Sequence, residues 1–342
     1  MHLRDAGRMT TETLFALITP QRATLYSQWV RQLAPLEWLA SPLGETITQW
    51  DYTELGGLDG LILHLDREIT ERDIAFMGFF ALTKGVFRLH GESSSPWLEP
   101  LPLRQKHVLP RTLLETRRYK GKTNELLTEL MLNLAWFASP WAEDPNVRLR
   151  VLDPLAGGGT TLFAALIRGW DAFGVDNDVQ TVDTTVAYLK HFLRTLRVKH
   201  QVEQARLRER GRRWTFTIKV TDPPLTCVLA RGDTGDTFDL LASPKAHLLV
   251  TDFPYGVQHR GLVIDLLTRG MPSWLRSLRR GATIVLAWDQ RTLKREELVH
   301  LLNGFSGLDI LNVPPWNQFV HPVDRVIKKR DILVIRKASQ ST

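Results

Sequence analysis

VLDPLAGGGTT, at residues 151–161, runs an apolar strand into a glycine-rich turn and from there into a helical pattern. Glycine accepts positive φ and leaves no side chain in the way, and the first N–H groups of a helix lack partners, so such a turn brings backbone close to a ligand. A strand, a glycine turn and a helix in succession are the opening unit of a nucleotide-binding α/β sheet. Periodicity on either side extends this pattern. Upstream, residues 125–137 place Leu127, Leu130, Met131 and Leu134 on one helical stripe. Downstream the spacing predicts a strand at 172–175, a helix at 179–196, strands at 227–233 and 247–252, a helix at 262–278, a strand at 282–288 and a helix at 294–302. Two last strand-like pieces, 308–313 and 331–335, are placed to pair antiparallel. This alternation predicts a Rossmann-like, mostly parallel sheet covered on both faces and closed by a terminal antiparallel hairpin.

The first hundred residues read differently. Short apolar strands at 13–18 and 60–65 flank a helix over 24–39, which Pro35 is expected to kink or end. From 91 to 110 the chain turns to Ser, Pro and Glu, as a surface linker would. We therefore expect a small α+β domain over residues 1–100 and the α/β domain over 101–342.

Hydrophobic residues at 43% and charged residues at 24% suit a folded globular chain. A single cysteine, Cys227, excludes an intrachain disulfide and any site of several thiolates. No apolar run reaches bilayer length and the first residues lack the apolar core of a signal peptide, so the expected location is the cytoplasm, with no membrane partner. The net charge of +7 suits a polyanion partner. It is concentrated in two places. Residues 104–122 hold seven Arg or Lys against one Glu, with Arg117, Arg118, Lys120 and Lys122 as candidate nucleic-acid contacts. Residues 206–213 hold five Arg in what reads as a basic insertion before a strand-like WTFTIKV.

Within the glycine turn, Asp153, Ala156, Gly157, Gly159 and Thr160 are candidate cofactor contacts, joined by Asp176 and Asn177 at the end of the next strand. A carboxylate at Asp176 would accept from ribose hydroxyls, which also suits NAD. Asp153 argues for another ligand. Its charge at the tip of the first strand repels a pyrophosphate but attracts a cofactor with ammonium and sulfonium groups, as S-adenosylmethionine has. A second segment, VTDFPYG at 250–256, ends another strand on the same sheet edge. Its candidate catalytic residues are Asp252, Phe253, Pro254 and Tyr255. They offer a carboxylate and a backbone carbonyl to accept from an amine, and a ring to stack on a base. Such chemistry positions a weakly nucleophilic amino group and requires no metal.

Taken together, DPLAGGGTT and TDFPYGVQHRG resemble the cofactor loop and catalytic segment of the amino-methyltransferases with a D/N-P-P-Y motif, most of all the tRNA guanine-N2 methyltransferases. The resemblance spans residues 115–340 and includes RYKGKTNELLTELMLNLA at 118–135. It implies an S-adenosylmethionine-dependent methyltransferase acting on guanosine N2 in tRNA. It further implies that Thr123 and Asn124 meet the methionine carboxylate and that Asp233 lies near the adenine amino group. The N-terminal domain would then orient RNA, and a small activating protein is a candidate partner. Phe253 departs from the family's proline, and no RNA-binding motif stands out in the first hundred residues. Methylation of adenine N6 or cytosine N4 in DNA, or a noncatalytic RNA-binding scaffold, are the alternatives. His259 and Arg260 are candidates for substrate phosphate and Trp316, Asn317 and Phe319 for a base pocket, while Trp288 reads as core.

Overall fold

A computed structural model describes residues 11–21, 24–91, 95–103, 107–119, 122–208, 210–242, 244–254, 260–322 and 329–338. The N-terminal part is built on an antiparallel sheet of β1 (Glu12–Ile18), β2 (Ile47–Leu55), β3 (Leu58–Leu65), β4 (Thr83–His90) and β5 (Trp97–Pro100) in the order β2-β3-β1-β4-β5. Leu14, Ala16 and Ile18 alternate toward helix α1 (Thr24–Ala40), whose Trp29, Val30 and Leu33 bury against them. A short helix α2 (Glu71–Met77) starts at Thr70, whose hydroxyl and backbone N–H form a reciprocal cap with Asp73.

Two expectations are corrected here. Of the two outcomes expected at Pro35, ending is excluded: helix α1 continues to Ala40, one residue past the expected span. Proline leaves the carbonyl four residues earlier without its helical donor, and that carbonyl, on Arg31, accepts the Tyr52 hydroxyl at 2.8 Å instead. The stretch read as a linker is ordered where it meets β4: residues 97–100 add an edge strand, with Leu89 opposite Leu98.

The remaining elements are α3 (Thr112–Glu115), α4 (Glu125–Phe137), β6 (Arg150–Asp153), α5 (Thr160–Ile167), β7 (Asp171–Asp176), α6 (Val179–Thr195), β8 (His200–Leu207), β9 (Gly211–Ile218), β10 (Leu225–Arg231), α7 (Thr237–Leu240), β11 (Ala246–Asp252), α8 (Arg260–Ser277), β12 (Leu278–Asp289), α9 (Arg295–Leu302), β13 (Leu308–Leu311) and β14 (Arg330–Lys337). The nine-stranded sheet has the order β13-β14-β12-β11-β6-β7-β10-β9-β8. Strands β12, β11, β6, β7 and β10 are mutually parallel, whereas β14 runs antiparallel between β12 and β13. This is the Rossmann-like sheet with a terminal antiparallel hairpin that the sequence predicted. Its central strands are buried on both faces, which is why they read as unbroken apolar runs such as ATIVLAW. The order reverses between β6 and β11, and in open α/β sheets ligands bind at the carboxyl ends of strands flanking such a reversal. The basic insertion is the β8–β9 hairpin, which carries the sheet beyond β10.

One continuous cluster of buried side chains joins the N-terminal sheet, α1, α4 and the face of the large sheet covered by α5 and α6. A buried polar chain crosses the same junction. Glu37 of α1 accepts from Ala81 and Leu82 N–H, both at 2.9 Å, and from Asn133 Nδ2 of α4 at 2.7 Å. Asn133 Oδ1 in turn accepts from Arg168 at 2.7 Å. Truncating one member would leave its neighbours buried and unpaired, the expensive way to break such a network. Among the described residues no helix is long and apolar enough to cross a membrane.

Candidate active site

A cavity of about 460 Å³ opens at the carboxyl edge where β6, β7, β10 and β11 end. Its floor is the glycine turn. Gly157 and Gly159 sit at φ +48° and +81°, the left-handed region that favours glycine, and a Cβ on Gly157 would point into open space. Gly158 faces the other way, against Tyr119, where a Cβ would lie 2.1 Å from the ring. The turn is braced by side chains that the sequence reading did not assign to it. Tyr119 shares a 2.5 Å hydrogen bond with Thr160, and Arg117 donates to the Gly158 carbonyl at 2.6 Å and to Thr185 at 2.9 Å. The Arg117 guanidinium also lies over the rings of Tyr119, Phe163 and Tyr188.

Four aspartates line the cavity, and three of them, Asp153, Asp176 and Asp252, sit at the ends of β6, β7 and β11. Asp153, only 4% exposed, accepts from the Thr251 hydroxyl at 2.8 Å and from Leu155 N–H at 3.1 Å, and has no cationic partner among the described residues. Burial pushes its pKa up to about 6, against hydrogen bonds from Thr251 and Thr161 that favour the anion. Asp176 accepts from Gly157 N–H at 2.8 Å and Asp178 N–H at 2.9 Å, so it ties the turn to β7, and burial raises its pKa as well. Asp252 accepts from the Thr123 hydroxyl at 2.8 Å on Oδ2, with Arg330 at 3.7 Å. Its other oxygen, Oδ1, is buried and finds no hydrogen-bond donor among the described residues. Burial pushes Asp252 up to about 6, despite the opposing pull of Arg330 and Thr123.

The structure thus brings Thr123, Asp153, Ala156, Gly157, Thr160, Asp176, Asn177, Asp233, Asp252, Phe253 and Pro254 to one cavity, while Gly159 caps α5 just behind it. Their side chains differ in use. Asn124 does not line the cavity; its Oδ1 caps α4 by accepting from Leu126 and Leu127 N–H at 2.9 and 3.3 Å. Thr123 turns to Asp252. Asp233 borders the cavity, but its carboxylate caps Gly235 N–H at 2.8 Å and pairs with Arg269 at 2.6 Å. Phe253 buries its ring in the core and donates its N–H to Ala287 at 2.9 Å, so its place in the loop is filled by packing rather than by a proline ring.

The basic strip is redistributed. Arg117 has its donors in the glycine turn, and Lys122 gives its ammonium to the Leu114 carbonyl at 2.6 Å and to Glu125. Both are therefore held inside the fold. Arg118 is exposed. Lys120, Tyr255 and His259 lie outside the described residues, as does the side chain of Arg260. Phe319 and Trp288 are fully buried, and neither Trp316 nor Asn317 reaches the cavity. Residues that the sequence did not single out include Tyr119, Thr128 and Met131 in the cavity wall, Thr251 on Asp153 and the buried Arg330 beside Asp252. Tyr119, Thr128, Met131 and Thr251 lie inside segments the sequence had already marked, 118–135 and 250–256, whereas Arg330 carried no local signal.

No protein-family model matches the chain, and no curated protein matches it. Solved structures overlap it at low similarity. An rRNA methyltransferase from Streptomyces viridochromogenes is 16% identical, over 70% of this chain and 95% of that one, with a TM-score of 0.39. A 16S rRNA N2 methyltransferase from T. thermophilus, in complex with AdoMet and guanosine, is 16% identical over 86% of this chain and 59% of that one, with a TM-score of 0.36. A precorrin-6y C5,15-methyltransferase from Geobacter metallireducens is 14% identical over 65% and 93%, with a TM-score of 0.37. Overlaps at this level do not bear on reaction or substrate.

Proposed function

We propose that this protein is an S-adenosylmethionine-dependent methyltransferase acting on an exocyclic amine of an RNA base, with guanosine N2 in tRNA as the target its sequence motifs imply. The observation that carries this reading is a pair of buried carboxylates on neighbouring strands opening on one cavity: among the described residues Asp153 has no cation to match it, and one oxygen of Asp252 has no donor. A buried anion left without a cation in a cleft is a place for a positively charged ligand. The cavity volume lies in the range of small-molecule sites.

The residues present fit the cofactor. Asp153 would face its cationic part, the glycine turn would give it close approach to backbone, and Asp176 and Asn177 would hold its ribose hydroxyls. When bound, the cofactor supplies a methyl group on a sulfonium. The chain's own contribution is positioning. Asp252 Oδ1 accepts one N–H of the amine and the Phe253 carbonyl accepts the other, which turns the nitrogen lone pair toward the cavity and away from conjugation with the ring. The same carboxylate stabilises positive charge that develops on nitrogen. Thr123 and Arg330 hold Oδ2, so that Oδ1 is the oxygen left for substrate. Tyr255 is assigned to stacking on the base. The buried Cys227 thiol suits a reducing compartment such as the cytoplasm.

Calorimetry with S-adenosylmethionine, on wild type and Asp176→Ala, followed by tritium transfer to total tRNA and to DNA, tests this reading. Binding that the substitution abolishes, with label in methylguanosine, supports it. Label only in DNA would move the substrate. No cofactor binding would leave a noncatalytic scaffold.

A further inference from the structure

Five arginines crowd the β8–β9 hairpin, and the strand register sorts them. Arg206 on β8 lies directly opposite Arg212 on β9, and Arg212 directly opposite Arg231 on β10. Residues paired in this way project from the same face of a sheet, here the face covered by α6, where Trp214, Phe216 and Leu229 continue the alternation. Three guanidinium groups therefore stand in one row across three strands. Among the described residues none of the three has a hydrogen-bond or ion-pair partner. Two of the hairpin's other arginines are held differently: Arg210 pairs with Asp239 at 2.6 Å and Arg213 donates to the Leu240 carbonyl at 3.2 Å.

Like charges placed directly opposite across strands are destabilising. The row is also set firmly. Gly211, at φ +141°, brings the hairpin so close to β10 that a Cβ there would sit 1.7 Å from the Arg231 carbonyl. Its inner end meets the cavity: Arg231 is the register partner of Asp176 on β7 and precedes Gly232, and both of these residues line the cavity. The Asp176 carboxylate makes no ion pair with Arg231; its oxygens accept from Gly157 and Asp178 N–H.

We propose that Arg206, Arg212 and Arg231 form a track for the phosphodiester backbone of the substrate RNA, leading to the mouth of the cavity. This rests on the RNA reading above. Two interstrand spacings, roughly 10 Å, separate the outer arginines, which is longer than one phosphate and suited to successive phosphates of a chain.

The test is fluorescence anisotropy of the full-length protein on labelled tRNA, across a salt series. It compares wild type, Arg206→Gln/Arg212→Gln/Arg231→Gln, and a charge-matched control, Arg194→Gln/Lys199→Gln/Lys219→Gln, whose residues are exposed at the opposite end of α6 and the hairpin. Three lost phosphate contacts flatten the slope of log K against log salt by about 2. The row variant should show this flattening and a binding loss of at least tenfold at low salt. The control should keep the wild-type slope. Thermal stability of the row variant should be no lower than wild type, because repulsion has been removed, and its S-adenosylmethionine affinity by calorimetry should stay within about twofold. Wild-type binding and slope in the row variant would overturn the track while leaving the RNA reading intact. Equal weakening in the control would reduce the row to bulk charge. Wild type that binds no RNA, or binds duplex DNA in preference, would remove the RNA reading and the track together.

Discussion

Replacing Asp153 by Asn should make the ligand-free protein more stable at neutral pH. Asn keeps the shape and the oxygen that accepts from Thr251 and Leu155, and the Thr161 hydroxyl can turn to accept from the new amide. What changes is charge. With a pKa near 6 in the native state against 3.8 for an ordinary aspartate, ionised Asp153 disfavours the fold by roughly 3 kcal/mol. Below pH 3.8 the carboxyl is protonated whether the chain is folded or not, and the difference vanishes. Between 3.8 and about 6 the native state keeps a proton that the unfolded chain releases, so wild type loses stability as pH rises. Above about 6 the full penalty is present. The Asn variant escapes it, so its melting temperature should exceed wild type by roughly 5 °C at pH 7.5, with the gap closing toward pH 4. Circular dichroism melts at matched ionic strength measure this directly. S-adenosylmethionine should then raise the melting temperature of wild type but not of the variant. A variant less stable than wild type at pH 7.5 would refute the reasoning, since it would mean that the carboxylate is already compensated and needs no cationic ligand.

Other outcomes follow from the same geometry. Methyl transfer should fall as the pH drops through about 6, where Asp252 takes up a proton and loses its charge; a rate flat from pH 5 to 8 would remove Asp252 as the amine's acceptor. Arg117→Met should weaken S-adenosylmethionine binding about tenfold by loosening the glycine turn, a loss of ~1.4 kcal/mol; it should leave the salt dependence of RNA binding unchanged, and the reverse pattern would return Arg117 to the nucleic-acid surface. Gly211→Ala should destabilise by about 3 kcal/mol in urea melts, because neither its φ nor the Arg231 carbonyl tolerates a Cβ. Tyr52→Phe should cost about 0.5 kcal/mol, measured the same way, because water replaces the hydroxyl at the exposed Arg31 carbonyl beside Pro35.

Much of the sheet was legible because its strands are buried on both faces and its turns carry glycine, signals that are local in the chain. Residues 151–161 and 250–256 needed no partner to be read, since a strand end followed by a turn fixes which sheet edge a side chain reaches. The helix over 24–39 was legible, but that it would not end at Pro35 was not, because Tyr52, which satisfies the Arg31 carbonyl, sits on another element. Edge strand β5 was taken for a linker because its few residues alternate too briefly, and its ordering comes from β4.

By itself the sequence determined the alternation of strands and helices, the glycine turn and the carboxylates at the cavity, all set by local conformational preference and apolar period. Tertiary structure decided how the charges are used. Arg117 and Lys122 look alike with Arg118 along the chain, yet two are folded inward against carbonyls, rings and a carboxylate while the third is exposed. Arg206 and Arg212 share a basic run from which Arg231 lies apart, and the three form a row only through strand register. A charge acts through space, so its role is fixed by neighbours that chain position does not reveal.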